Sequence, residues 1–141
     1  MTTTFGNPRL RSIDGVSLSA AERLHELATP AQVQGRFAQL QEICGRLGVP
    51  VNAIVVRLEG LDRLRDELGY GAPLAALMAG ADAITALLRP GDEFGRWNDD
   101  ALAVLCPGAD SEALAQFSAA LLAALEHVRV RHALQIGRAH V

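Results

Sequence analysis

At 141 residues the chain is long enough for one domain with a single substantial core. Half of it is apolar but only 4% is aromatic, so Ala, Leu and Val must fill that core. A net charge of -3 without any Lys/Arg block excludes a primary nucleic-acid surface, which carries a basic stripe. No uninterrupted apolar run is long enough to cross a bilayer, and "MTTTFGNPRLRSIDG" lacks the hydrophobic segment of a signal peptide. The chain therefore reads as cytoplasmic, with no membrane segment. Cys44 and Cys106 lack metal-site spacing and are expected as buried free thiols.

Residues 1–15 are polar, carry Gly and Pro, and show no apolar period, so they read as a flexible lead-in to a domain over 16–141. "SLSAAERLHEL" follows as a short helix with Ser17 or Ser19 as its cap. It could also be the end of a coupling helix. Thr29 then precedes Pro30 at the first position of a second helix. Val33, Phe37, Leu40, Cys44 and Leu47 recur along it at three- and four-residue steps, facing a core, and Gly48 ends it.

"VNAIVVRL" is β-branched and almost continuously apolar, which suits a strand covered on both faces. "LDRLRDELGYG" reads as a helix with Leu61, Leu64 and Leu68 inward. "PLAALMAGADAITALL" is a second helix, closed by Arg89-Pro90-Gly91. "EFGRW" and "DALAVLC" form a hairpin around Asn98-Asp99, whose residues tolerate positive φ. Asp110 or Ser111 caps a helix carrying Leu114, Phe117, Leu121 and Leu125, and "VRVRHAL" alternates like a half-buried strand. The order implies an α/β (α+β) sandwich, a mostly antiparallel central sheet flanked by helices. Order alone reveals no function.

"ATPAQVQGRF", "VVRLEGLDRLRDELGYG" and "LLRPGDEFGRWNDDALAVLCPGAD" occur in the right order to resemble the GGDEF domain of bacterial diguanylate cyclases. The third stretch is the most specific. That family reads Leu-Arg-Pro-x-Asp, an apolar strand, an Arg-aromatic pair, the signature turn, and an apolar strand ending in Pro-Gly. Registered on Arg96-Trp97, the signature positions are Asn98, Asp99, Asp100, Ala101 and Leu102. The literal Gly91-Asp92-Glu93-Phe94 lies one strand too early.

The resemblance implies a nucleotidyl-cyclase-like fold, and in an active member the joining of two GTP molecules by Mg2+ or Mn2+ across a dimer. It also implies metal-binding carboxylates at two positions, here occupied by Arg57 and Ala101. Without them a hard cation loses its main oxygen ligands. Two signature glycines, which let backbone approach phosphate, are replaced by Asn98 and Asp99. The guanine-reading Asn and Asp are replaced by Arg65 and Leu74, which cannot make the same hydrogen bonds. Glu59 and Asp100 remain near the lost site, and Arg57 could pair with Asp100 where a cation would have sat. The expectation is a catalytically inactive, degenerate domain with no cofactor; the alternative is a working cyclase that tolerates the replacements.

Many family members bind cyclic di-GMP as product at an Arg-x-x-Asp site just before the signature strand, and Arg89-Pro90-Gly91-Asp92 falls there. A guanidinium can fork onto phosphate or a guanine edge while the carboxylate accepts from guanine N–H groups. Against this stands an ordinary helix end and turn, for which Arg and Pro-Gly-Asp are well suited. The implied partners are cyclic di-GMP and a second copy or another signalling domain. His25, His127, His132 and His140 are scattered without ligand spacing. The final "QIGRAHV", residues 135–141, can be read in frame from a common sequencing adapter, which predicts an artefact closing a domain incomplete at its C-terminus. The alternative is that "LQIGRA" is a drifted form of the family's Ser-x-Gly strand.

Overall fold

The structure, a computed structural model, describes residues 12–13, 16–17, 26–132 and 135–140. Its first element is a two-residue hairpin, with β1 (Ser12–Ile13) antiparallel to β2 (Val16–Ser17). Of the helix expected over 17–27, Ser17 therefore lies in a strand and Glu26 is helical; residues 18–25, including Ser19, fall outside the described residues. His25 falls outside them as well.

Helix α1 (Pro30–Leu47) starts where its sequence requires. Thr29 Oγ1 accepts from the Gln32 amide at 3.2 Å while Gln32 Oε1 accepts from the Thr29 amide at 2.9 Å, a reciprocal capping box with Pro30 at the first helical position. The remaining elements are β3 (Val51–Glu59), α2 (Leu61–Leu68), α3 (Gly71–Thr85), β4 (Glu93–Asn98), β5 (Ala101–Pro107), α4 (Ser111–His132) and β6 (Gln135–His140). The four longer strands form one sheet in the order β4-β5-β3-β6, every neighbour antiparallel.

Side-chain alternation divides the sheet between two cores. Ala103 and Leu105 of β5 pack with Val33 and Leu40 of α1, bordered by Val51, Ala53, Val55 and Trp97. On the opposite face Ile54, Val56, Leu58, Leu102, Val104 and Cys106 meet α2, α3 and α4 through Leu64, Ile84, Phe117, Leu121 and Leu125. Because helices cover both faces, β5 is buried from Ala101 through Cys106.

Three expectations change. Residues 128–132 of the "VRVRHAL" segment are not a strand, since α4 continues through His132; residues 133–134 lie outside the described residues. Its helical stripe of Leu114, Phe117, Leu121 and Leu125 extends to Val128, which is buried. That packing overrides a five-residue alternation, and exposed Arg129 pairs with Glu126 one turn earlier. Leu47 and Leu68 are each 70% exposed rather than inward. Each is the last residue of its helix, where the apolar stripe has run out of partner surface. The hairpin turn is also shifted by one residue: Asn98 belongs to β4 opposite Ala101, so Asp99 and Asp100, and not Asn98 and Asp99, make the turn. Residues 135–140 pair antiparallel with β3 across a register shift between Val56 and Leu58.

Strand β4 is held on its outer side as well. Ala28 bridges to Gly95, and the Arg96 amide donates to the Ala28 carbonyl at 2.9 Å. The packing over Gly95 is so close that a Cβ there would lie 2.7 Å from Val33 Cγ2 and 2.8 Å from Ala28 Cβ. Helix α1 is tied to the same strand by Arg36, whose Nε and Nη2 each donate at 2.9 Å to Glu93, a carboxylate only 7% exposed. The bonded carboxylate holds the Arg36 guanidinium above the usual arginine range.

Candidate functional site

The signature turn sits at one end of the β3-β5 pair. The Asn98 Oδ1 accepts from the Asp100 amide at 3.0 Å, an Asx turn of the kind asparagine favours. The Asp100 carbonyl accepts from the Leu58 amide at 2.7 Å, joining the turn to β3. One extra residue in β4 between Arg96 and Asn98 makes a bulge at Trp97, whose ring borders the α1 core. Trp97 thus marks hairpin packing on a helix. Leu102 is fully buried on the opposite face.

Across the strands Arg57 stands directly opposite Ala101. The Arg57 guanidinium reaches Asp100, Nε to Oδ1 4.0 Å, with both groups roughly half exposed. These residues, with Glu59, Gly60 and Asp62, border an open cleft of about 350 Å³. The pairing foreseen between Arg57 and Asp100 is present. Arg57 presents positive charge here, the Ala101 side chain has no oxygen to offer a hard cation, and among the described residues no group of three His, Cys, Asp or Glu side chains is placed to hold a metal. Arg65 is taken up by Asp62 at 3.4 Å and Asp66 at 3.8 Å. Leu74 is half-buried on α3.

The four letters that spell the signature literally each have another duty. Gly91 adopts φ +89°, which the turn after α3 requires. Asp92 has a side chain only 1% exposed, and its Oδ2 accepts from the Arg89 amide at 2.9 Å and from Arg89 Nε at 3.1 Å. Glu93 holds Arg36, and Phe94 is a 2% exposed core residue. The local text is a fold segment.

Arg89 and Asp92 are accordingly together, and closed on each other. Arg89 Nη2 donates to Asp92 Oδ1 at 3.3 Å, and its guanidinium lies 5.1 Å from the Phe117 ring centroid, a cation–π contact linking the turn after α3 to α4. Hydrogen bonding to Asp92 raises the guanidinium's pKa. Sequence reasoning saw the pair but not Phe117, which lies in a different helix and carries no local signal.

Cys106 is buried beside this pair, and burial foremost, with the Asp92 carboxylate second, pushes its thiol up to about 12. The folded thiol keeps its proton to about 12, while an unfolded one releases it near 9.0. Its contribution to stability is intact below the lower value and is lost as pH rises between the two. Both cysteines are buried and free. An aromatic disulfide reagent at pH 8 is therefore expected to label neither in the native protein and both after unfolding. Rapid native labelling of either would contradict the burial.

The diguanylate cyclase GGDEF domain family matches residues 21–141, and the chain belongs to that family. Among solved structures it is similar to the diguanylate cyclase SiaD of Pseudomonas aeruginosa in complex with its activator SiaC, at 19% identity and a TM-score of 0.68, covering 72% of this chain and 39% of that one. It is similar to the GGDEF domain of DgcB from Caulobacter crescentus in complex with c-di-GMP, at 16% identity and a TM-score of 0.62, covering 75% and 58%. The GGDEF domain of YfiN (TpbB) from Pseudomonas aeruginosa matches at 23% identity and a TM-score of 0.67, covering 73% and 60%. The chain thus spans between 39% and 60% of the length of these solved chains. A comparison with curated proteins gives no match. The nucleotidyl-cyclase-like fold expected from the sequence is the fold observed. Among the described residues no helix is long and apolar enough to cross a membrane.

Proposed function

We propose that this is a GGDEF domain without cyclase activity, acting by binding or contact inside a cytoplasmic cyclic di-GMP signalling protein. The observation that carries the proposal is Arg57 facing Ala101 with its guanidinium toward Asp100. Where the family's chemistry needs carboxylates around a cation, this chain supplies a cation of its own and a methyl group. Asn98 and Asp99 add side-chain atoms and a negative charge where a polyphosphate would need bare backbone. No cofactor is required for the role proposed.

The regulatory role has two forms, a cyclic di-GMP receptor and a dimerisation partner for a second copy or another signalling domain. Similarity to DgcB bound to c-di-GMP and to SiaD bound to a protein activator supports both. Cyclic di-GMP binding at Arg89 would require the guanidinium to turn from Asp92 toward the ligand. The guanidinium is 36% exposed and can do so, whereas the Asp92 carboxylate is sealed. The receptor form therefore places recognition on Arg89 alone.

Purified protein with GTP and either Mg2+ or Mn2+ is expected to form no cyclic di-GMP; clear turnover sinks the proposal. Calorimetric titration with cyclic di-GMP separates the two forms. Heat of binding that is lost in Arg89→Lys, which keeps the charge but not the planar fork, establishes the receptor. Its absence in the wild type leaves the dimerisation role.

A further inference from the structure

The cleft beside the signature turn is bordered by three carboxylates, Glu59, Asp62 and Asp100, and one guanidinium, Arg57. Carboxylates gathered at one opening repel each other unless a cation lies between them. Arg65 offsets Asp62 from α2. Glu59 makes no ion pair among the described residues, and Asp100 has Arg57.

Arg57 reaches that position from the end of an inner strand, where it forms the last pair of the β3-β5 ladder. It is an exposed residue of β3 whose strand partner is the buried Ala101, so no larger side chain from β5 competes for the space over the pair. The Asp100 backbone is simultaneously anchored by Leu58 and Asn98. The carboxylate is thus presented to Arg57 by a turn that is already fixed.

We propose that Arg57 is a built-in substitute for a divalent cation: it neutralises Asp100 on a turn that the backbone already fixes, and excludes metal from the cleft by its own charge. This rests on the reading of the domain as inactive and adds to it a physical device. The chain has exchanged a dissociable ion for a tethered one. An incoming cation meets like charge first and, behind it, no ligand on residue 101. A polyphosphate without metal meets the remaining acidic excess.

The test is Mn2+ binding to the full chain without nucleotide, followed by paramagnetic resonance of free Mn2+ and by thermal unfolding in EDTA or millimolar Mn2+. Wild type is expected to bind no Mn2+ and to melt at one temperature in both. Arg57→Asp changes an exposed position, places a carboxylate beside Asp100 and Glu59, and should bind Mn2+ about tenfold or more tighter than the weakest binding the measurement detects. It should melt lower than wild type in EDTA and recover by about 3 °C or more in Mn2+. Should Arg57→Asp fail to fold in either medium, Arg57→Gln decides. Removing only the charge should let Mn2+ broaden the amide resonances of residues 58–62 and 98–101, which stay sharp in the wild type.

Mn2+ binding by the wild type in this cleft, or variants that bind no more Mn2+ than the wild type does, overturns the proposal. Either result leaves the inactive reading standing, because that reading fails only on GTP turnover.

Discussion

Arg89→Ala is expected to destabilise the fold by about 2–3 kcal/mol, measured by denaturant unfolding at neutral pH. The variant leaves the Asp92 carboxylate, 1% exposed, with the Arg89 backbone amide but without its counter-charge. Removing one partner of a deeply buried pair costs roughly 3–5 kcal/mol. Here the guanidinium side is 36% exposed, so water entering the vacated space relieves part of that cost. Loss of the Phe117 contact acts in the same direction. Arg89→Ala combined with Asp92→Asn removes the stranded charge, and should recover part of the loss. Equal stability of Arg89→Ala and wild type would mean that the pair contributes nothing to the fold.

This outcome bears on any ligand experiment. An alanine at 89 that abolishes cyclic di-GMP binding would be ambiguous, since a loosened turn between α3 and β4 explains it equally well. Arg89→Lys, which retains charge beside Asp92, is the informative variant for recognition.

Gly95→Ala is expected to lower stability by about 3 kcal/mol, at the upper end for overpacking, and to reduce the thermal midpoint by about 10 °C. The added Cβ would lie 2.7 Å from Val33 Cγ2, 2.8 Å from Ala28 Cβ and 3.0 Å from the Ala28 carbonyl oxygen. None of these can swing away as the tip of a long side chain could. Two belong to the segment bridged to β4, and the third to a fully buried valine of α1. Relief requires pulling α1 and the 27–29 segment off the strand, which also strains the Arg96 amide bond to Ala28. A variant with an unchanged midpoint would show that the approach is looser than the distances state.

Much of the fold was legible because local chemistry and tertiary packing agree. Thr29 and Pro30 start α1, Asp110 caps α4 by accepting from the Ala113 amide at 2.9 Å, and Asn98 organises the hairpin. The registered site positions could be read from order and from the Arg96-Trp97 landmark, and Arg57 does lie against Asp100. What escaped lies between distant residues. Arg36 and Glu93 are separated by 57 positions, and neither helix periodicity nor strand alternation marks a glutamate as one that will be buried. The extension of α4 was missed because Val128, Val130 and His132 satisfy a period of two as well as Val128 satisfies the helical stripe. Only the core on which Leu121 and Leu125 rest distinguishes them. Arg89 and Asp92 were legible as residues, but their closure on each other depends on how far the carboxylate is buried.

The Ala28 bridge to Gly95 has a consequence for how copies of this protein meet. An outermost strand ordinarily displays a row of free amides and carbonyls on which another chain can add. Along β4 that row is interrupted at its middle, where the Arg96 amide is already occupied by the protein's own backbone. Strand-by-strand accretion of one molecule onto another is thereby blocked on this side, and the guard depends on one residue having no side chain.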